Sequence, residues 1–427
     1  MSKLMIWGAL LCSAAFASAS AQELQRAELP VQVDYAVNTN VNIDQRLPLT
    51  VQENDDAVRV RTISKTFPAD RSDKVILNNQ FGSMVIKVWN KREVKIDVTV
   101  KAYSNNEKEA QELIDQVNID ADKNGNIISC KTSIDQNSTG RWFSSRNKRR
   151  EVKVGYVVYL PASNALNLSQ QYGTVNIDDF SGPLDAKVQY GDFIAGTLSD
   201  QYNNINVQYG KTNIEEVNRA TIKQQYGSGL TIGTVGVLNL NAQYANVDIT
   251  TVKGDAVIKQ QYGSGLKLGS VNNLDLDVQY ANVNITTVKG NATIKQQYNS
   301  LTLGSVGKLT LRSQYTGVTI GDLNGDGSFK VSYNHFTVAD IGSSCKRLTI
   351  DADYANISLG FGSSFGGDFN VQKSYGNFKY NSNVRVTNSN DNEENRSSSS
   401  KRYSGKIGNG GSSAVQIDAA YGSVSFK

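Results

Sequence analysis

From Tyr172 onward, apolar and polar residues alternate in short runs. Leu274, Leu276, Val278 and Tyr280 share one phase, while Asp275, Asp277 and Gln279 take the other. This is the pattern of a half-buried strand. A second alternation begins three residues after each tyrosine, at Val247 and Ile249, Val283 and Ile285, Val318 and Ile320, and Phe336 and Val338, with a further apolar residue at Val252, Val288, Val306 or Ile341. The tyrosine itself returns at positions 172, 190, 209, 226, 244, 262, 280, 298, 315, 333, 354 and 375, and again at 421. A run of residues beginning at Gln224 is nearly repeated from Gln260. One such unit cannot bury its apolar face alone, but stacked units close a continuous core. The pattern predicts an all-β β-solenoid (β-helix) of roughly 18-residue coils, about a dozen of them, some 60 Å long at ~4.8 Å per coil. A propeller blade needs about 40 residues and four strands, twice this period. By phase, the tyrosines should point inward or sit at a corner. The residue that follows is usually Gly, Ala or Asn, as suits a sharp bend.

Outside the repeat the pattern changes. Val75, Leu77, Phe81, Met84 and Ile86 reproduce one coil with phenylalanine in place of tyrosine, so the stack should begin there. Val94, Ile96, Val98 and Val100 follow as a strand, and then Ser104 to Glu107 match a capping box. Ala110, Leu113, Ile114 and Val117 fall on one face of the expected helix, which would cap the open end of the coils. The boundaries read as an export signal at 1–21, an unassigned segment at 22–64, a strand and helix cap at 65–161, and solenoid repeats at 162–427. A flexible insertion is expected from Asn381 to Gly411, rich in Ser, Asn and charge, before a last half coil closes the rod.

Lys3, the apolar run Leu4 to Ala17, and Ala19-Ser20-Ala21 have the form of a cleaved signal, with cleavage before Gln22. The expected location is therefore periplasmic, cell-surface or secreted. No other stretch approaches the roughly 20 apolar residues of a membrane span. Leu11 before Cys12 is bulky where a lipidation motif needs a small residue. Cys130 and Cys345 remain in the mature chain and are expected as separate buried thiols. Lys plus Arg (44) nearly balance Asp plus Glu (40), and the net charge of +4 gives no reason to expect nucleic acid as a partner. His335 is the one histidine, which excludes His-rich metal sites and relays built on two histidines.

A glutamine precedes most of the tyrosines, with Gln225, Gln243, Gln261 and Gln279 in the middle of the repeat. Opposite in phase to the core, these side chains should line one outer face, either as a hydrogen-bonded amide ladder or as a ligand face for a glycan or other surface polymer. A second set, Gln170, Gln224, Gln260 and Gln296, has the core phase and needs buried partners, for which neighbouring tyrosine hydroxyls are candidates. Asp322, Asn324 and Asp326 match the first half of a calcium loop, but Tyr333 stands where the bidentate glutamate belongs, so a tight turn is the simpler reading. Arg141, Arg146, Lys148, Arg149 and Arg150 form a basic loop with Trp142 and Phe143, a candidate for anionic headgroups and otherwise a solvated loop. No constellation supports catalysis, and no cofactor is implied.

Asn79 to Trp89, the Val94 to Val100 strand, the helix at Glu109 to Leu113, the strand Val157 to Pro161 and the reiterated Gln-Tyr-Gly together resemble the putative-adhesin family of exported bacterial β-solenoid proteins. The resemblance covers about residues 65 to 427 and implies a non-enzymatic, adhesin-like cell-envelope protein that presents a repetitive polar face to a surface polymer or partner. The alternative is a self-assembling, curlin-like envelope or matrix protein. Against it, the curlin continuation after the glutamine is missing and the period is shorter.

Overall fold

The alternation seen in the sequence is realised as parallel strand pairing between successive repeats. The computed structural model describes residues 57–134, 150–389 and 400–427. Strand makes up 75% of it, with one helix among the described residues. Leu184, Ala186 and Val188 are buried while Asp185 and Lys187 are exposed, as a period of two requires. Leu184 pairs in parallel with Leu166 on one side and Asn203 on the other. After the tyrosine, Phe193 lies between Val175 and Thr212 in the same manner. Each repeat is thus a rung of two strands meeting at a tyrosine corner, and a short third side is marked by the bridge from Phe180 to Leu198. Inward Val, Ile and Leu side chains from all rungs form one core.

At the corners the backbone approaches itself closely. A Cβ on Gly173 would lie 1.5 Å from the carbonyl oxygen of Gly82, and one on Gly191 would lie 2.0 Å from that of Gly173. The residue after the tyrosine therefore turns into the stack, and Ala245 and Ala281, which replace glycine there, are buried.

The first rung is Lys74–Gln80 with Met84–Trp89, which pair with Ala165–Gln171 and Val175–Ile177. The chain between them builds a cover over this end. Ile127–Ile134 adds in parallel to Lys74–Gln80 and is itself paired antiparallel with Val117–Asn124. On the other strand, Arg150–Pro161 adds in parallel to Met84–Trp89, followed by Glu93–Ser104 and Ala57–Pro68, both antiparallel. Ala57–Pro68 begins inside the segment left unassigned by the sequence. The helix Glu107–Asp115 packs on these strands through Ala110, Leu113 and Ile114. Its cap differs from the expected box: Asn106 accepts from the Glu109 amide at 2.8 Å, and Ser104 Oγ instead donates to the Glu109 carboxylate at 2.6 Å. Asn106 is one residue closer to the helix and reaches the orphan amide directly.

The C-terminal end departs from chain order. Ser413–Ala420 pairs in parallel with Arg347–Phe361 on one side and Gly367–Ser374 on the other. The last half coil is therefore the penultimate rung, threaded into a slot rather than closing the stack. Val415, Ile417, Val424 and Phe426 have the same spacing as any other rung, so they fit any slot with two free parallel edges. The expected flexible insertion contains two strands, Val384–Ser389 and Ser400–Ile407, which form an antiparallel pair. Ser400–Ile407 also runs antiparallel along Gly367–Ser374 and covers that edge.

No described helix is long and apolar enough to cross a membrane. Cys130 and Cys345 are both free and buried, and burial pushes each thiol up to about 11. The proposed signal and Cys12 lie outside the described residues.

Candidate functional site

Every repeat tyrosine adopts a left-handed backbone, with φ between 51° at Tyr226 and 64° at Tyr298. Non-glycine residues enter this region at a cost of about 1–2 kcal/mol each. The left-handed residue rotates its side chain out of the strand phase. The tyrosines, expected inward, are accordingly exposed, from 37% at Tyr298 to 61% at Tyr375. The corner was legible and the burial was not. The signal available in the sequence was the small residue after each tyrosine, which takes the inward place.

The rings compensate by stacking along the rungs. Phe81 stacks on Tyr172 at 5.0 Å between ring centres, and the series continues through each repeat tyrosine to Tyr354, Tyr421 and Tyr375. Tyr280 and Tyr298 approach to 4.5 Å, whereas Tyr298 and Tyr315 are 5.4 Å apart. Because Tyr421 lies between Tyr354 and Tyr375, the aromatic row stays unbroken across the out-of-order rung. Ring faces are occupied by neighbours, so the solvent meets ring edges and hydroxyls. Hydrogen bonding to Tyr298, then desolvation and the neighbouring phenols, raise the Tyr280 pKa above the usual phenol value. Desolvation, followed by the charges and hydrogen bond of its neighbours, does the same at Tyr315.

This gives an alkaline prediction. A phenol with a raised folded pKa keeps its contribution below the unfolded value of about 10 and loses it as pH rises through the folded value, because the unfolded chain releases its proton first. Absorbance titration should show a phenolate component delayed beyond that of free tyrosine, with thermal stability falling over the same range. A titration in which only the buried Tyr156 is delayed and the exposed phenols behave as free tyrosine would show that the stacked rings do not influence one another.

Beside the aromatic row, Gln171 Nε2 donates to Gln189 Oε1 at 3.0 Å, and the chain of amides runs through Gln208, Gln225, Gln243 and Gln261 to Gln279. Gln225 and Gln243 are the closest pair, at 2.7 Å. The four central candidates are thus mutually hydrogen-bonded, along the stack.

The core-phase glutamines do not meet tyrosine hydroxyls, which point outward. Their amides donate to backbone carbonyls at the corners. Gln170 bonds Gly82 O at 2.7 Å, Gln224 bonds Gly210 O at 2.8 Å, and Gln296 bonds Ala281 O at 2.8 Å. The left-handed corner turns a carbonyl inward, away from the strand ladder, and the buried amide satisfies it.

Of the basic loop, residues 141–149, including Arg141, Arg146, Lys148 and Arg149, lie outside the described residues. Arg150 is engaged with Glu109 at 3.0 Å, tying the cover strand to the helix. Asp326 Oδ1 accepts from the backbone amides of Lys346 and Arg347 at 2.9 and 3.0 Å, which hold its carboxyl below the usual range. Asp322 is on an outward strand position opposite Asp340. Among the described residues no group of three or more His, Cys, Asp or Glu side chains converges as a metal site would require.

No family model matches the chain, and no curated protein does. Among solved structures it is similar to one called a putative cell adhesion protein from Clostridium sporogenes, at 11% identity over 86% of this chain and 99% of that one, with a TM-score of 0.16. One called a putative lipid binding protein, from Parabacteroides distasonis, matches at 13% identity over 71% and 95%, with a TM-score of 0.23. One called a putative adhesin, from Bacteroides fragilis, matches at 12% over 63% and 92%, with a TM-score of 0.18. Superpositions this loose transfer neither ligand nor role.

Proposed function

We propose that the chain is an exported, non-enzymatic, adhesin-like β-solenoid whose outer aromatic and amide rows are presented to a surface polymer. The observation that carries this reading is the unbroken row of exposed rings from Tyr172 to Tyr375, begun by the half-buried Phe81. A stacked aromatic pair is worth about 0.5–1.5 kcal/mol beyond its burial. That roughly offsets the left-handed backbone cost at each corner, where glycine or asparagine would fit without strain. Stability alone therefore gives little reason for a ring at every corner. A continuous row of exposed rings is the kind of contiguous surface that marks an interaction site.

Open-ended assembly has less support. The first rung carries two parallel strands, Ile127–Ile134 and Arg150–Pro161, which are backed by antiparallel strands and the helix, and on the last rung Ser400–Ile407 covers the Gly367–Ser374 edge in antiparallel sense. An antiparallel strand at the end of a parallel ladder breaks the register on which identical rungs would add.

The test is a triple change of Tyr244, Tyr262 and Tyr280 to Ala. At about half exposure, each should cost only about 1 kcal/mol through lost stacking, not the larger penalty of a buried aromatic. Binding of the mature chain to a glycan array or to isolated envelope polysaccharide should drop sharply, with the melting temperature reduced by a few degrees. Undiminished binding would remove the aromatic row from the site.

A further inference from the structure

The outward position three residues before each tyrosine forms its own column beside the amide chain. In paired register it reads Lys187, Asn206, Lys223, Asn241, Lys259, Asp277, so cations alternate with neutral amides. Past Asp277 this spacing fails. Lys295 is paired with Asp277, and Arg312 with Lys330. Lys295 and Arg312 stand three residues before Tyr298 and Tyr315, whose rings stack, so three cations occupy successive rungs. Lys330 reaches Asp351 at 3.0 Å, whereas Lys295 and Arg312 have no ion pair among the described residues. Like charges on adjacent strands repel.

Four further features coincide with this cluster. The amide chain ends at Gln279, leaving Gln297 and Gln314 exposed and outside it. A groove of about 420 Å³ opens there, lined by Lys295, Arg312, Lys330, Gln297 and Gln314, with Asp277 at one end. Beneath it, the buried Ser313 Oγ has no hydrogen-bond partner; Gln296 Oε1 has none either, as is also true of Gln260 Oε1 two rungs away. The corners at Tyr298-Asn299 and Tyr333-Asn334, on either side of Tyr315, are the ones where two consecutive residues take positive φ.

We infer that this groove binds an acidic polysaccharide running along the rungs, an inference that rests on the polymer-binding reading above. The Arg312 guanidinium can take a carboxylate through two parallel hydrogen bonds, with Lys295 and Lys330 as point charges on either side. Gln297 and Gln314 offer both donors and acceptors to sugar hydroxyls. Cations repeating at ~4.8 Å suit a chain of regularly spaced carboxylates better than a single small anion. Nucleic acid fits less well. Beside the groove the faces of Tyr298 and Tyr315 are filled by their neighbours and leave no platform for bases, and Asp277 and Asp351 close the cationic run at three rungs.

The experiment is calorimetric titration of the full mature chain with polygalacturonate, with neutral dextran, and with single-stranded DNA. Polygalacturonate should bind, weaken roughly tenfold as salt rises to physiological strength, and weaken roughly tenfold or more in the triple variant Lys295→Gln, Arg312→Gln, Lys330→Gln, whose melting temperature should be unchanged. The control Lys187→Gln, Lys223→Gln, Lys259→Gln removes equal charge elsewhere in the column and should have a smaller effect. Equal binding of dextran, with the triple variant unaffected, would overturn the cationic groove and leave the polymer-binding reading standing. DNA binding as tightly as polygalacturonate would overturn the choice of ligand. Binding of none of the three, together with no response on glycan arrays, would sink both.

Discussion

A chain ending at Gly411 should associate into larger species than the full chain does. The missing residues supply Ser413–Ala420 and Val424–Phe426, which lie between two rungs and pair with both. Removing them takes Val415, Ile417, Ala419, Val424 and Phe426 out of the core and leaves two parallel edges facing a gap. Each large side chain is worth about 1.5–3 kcal/mol when buried, and the unpaired edges are templates for another chain. The truncated protein should melt several degrees lower and associate, as seen by light scattering. A synthetic peptide of residues 412–427 should restore the size of the full chain, because the slot accepts a strand on register and spacing, not on chain connection. A truncated chain that kept the size and melting temperature of the full chain would mean that the flanking rungs close directly on each other.

The slot also shows where sequence reading reaches its limit. Strand phase and period were legible because alternation of apolar residues is imposed by burial on one face, as at Leu274, Leu276 and Val278. Rung order was not. A rung is recognised by a spacing common to all rungs, and nothing in Val415 to Phe426 says which neighbours it will have. Tyrosine exposure was missed for a different reason: alternation assumes an extended backbone, and one left-handed residue shifts the phase by one, so that Ala281 rather than Tyr280 is buried. The same shift explains why Gln260 and its equivalents bond corner carbonyls instead of phenols. The cationic column was hidden by the near balance of charge over the whole chain. It emerges only when residues from successive rungs are set side by side.

Gly173→Val should be among the most destabilising single changes in the chain. The residue follows Tyr172, which has φ of 55°, at the place where the chain turns inward. A Cβ there would meet Gly82 O at 1.5 Å and Gly82 C at 2.5 Å, both backbone atoms that cannot swing aside. It would also press on Gln170 Nε2 at 3.1 Å, the amide that satisfies that same carbonyl at 2.7 Å. Steric overlap and loss of a buried hydrogen bond therefore arrive together, and a loss of about 4 kcal/mol or more is expected. Ala245 and Ala281 show that a corner can hold one methyl group when the rungs around it are built for it. For that reason Ala245→Gly should cost only about 1–2 kcal/mol, from one buried methyl and added chain entropy. Urea unfolding of the two variants, read from their midpoints at unchanged slope, compares them directly. A Gly173→Val midpoint close to that of Ala245→Gly would mean that the corner relaxes freely, and that the small residue after each tyrosine is not what sets the spacing of the rungs.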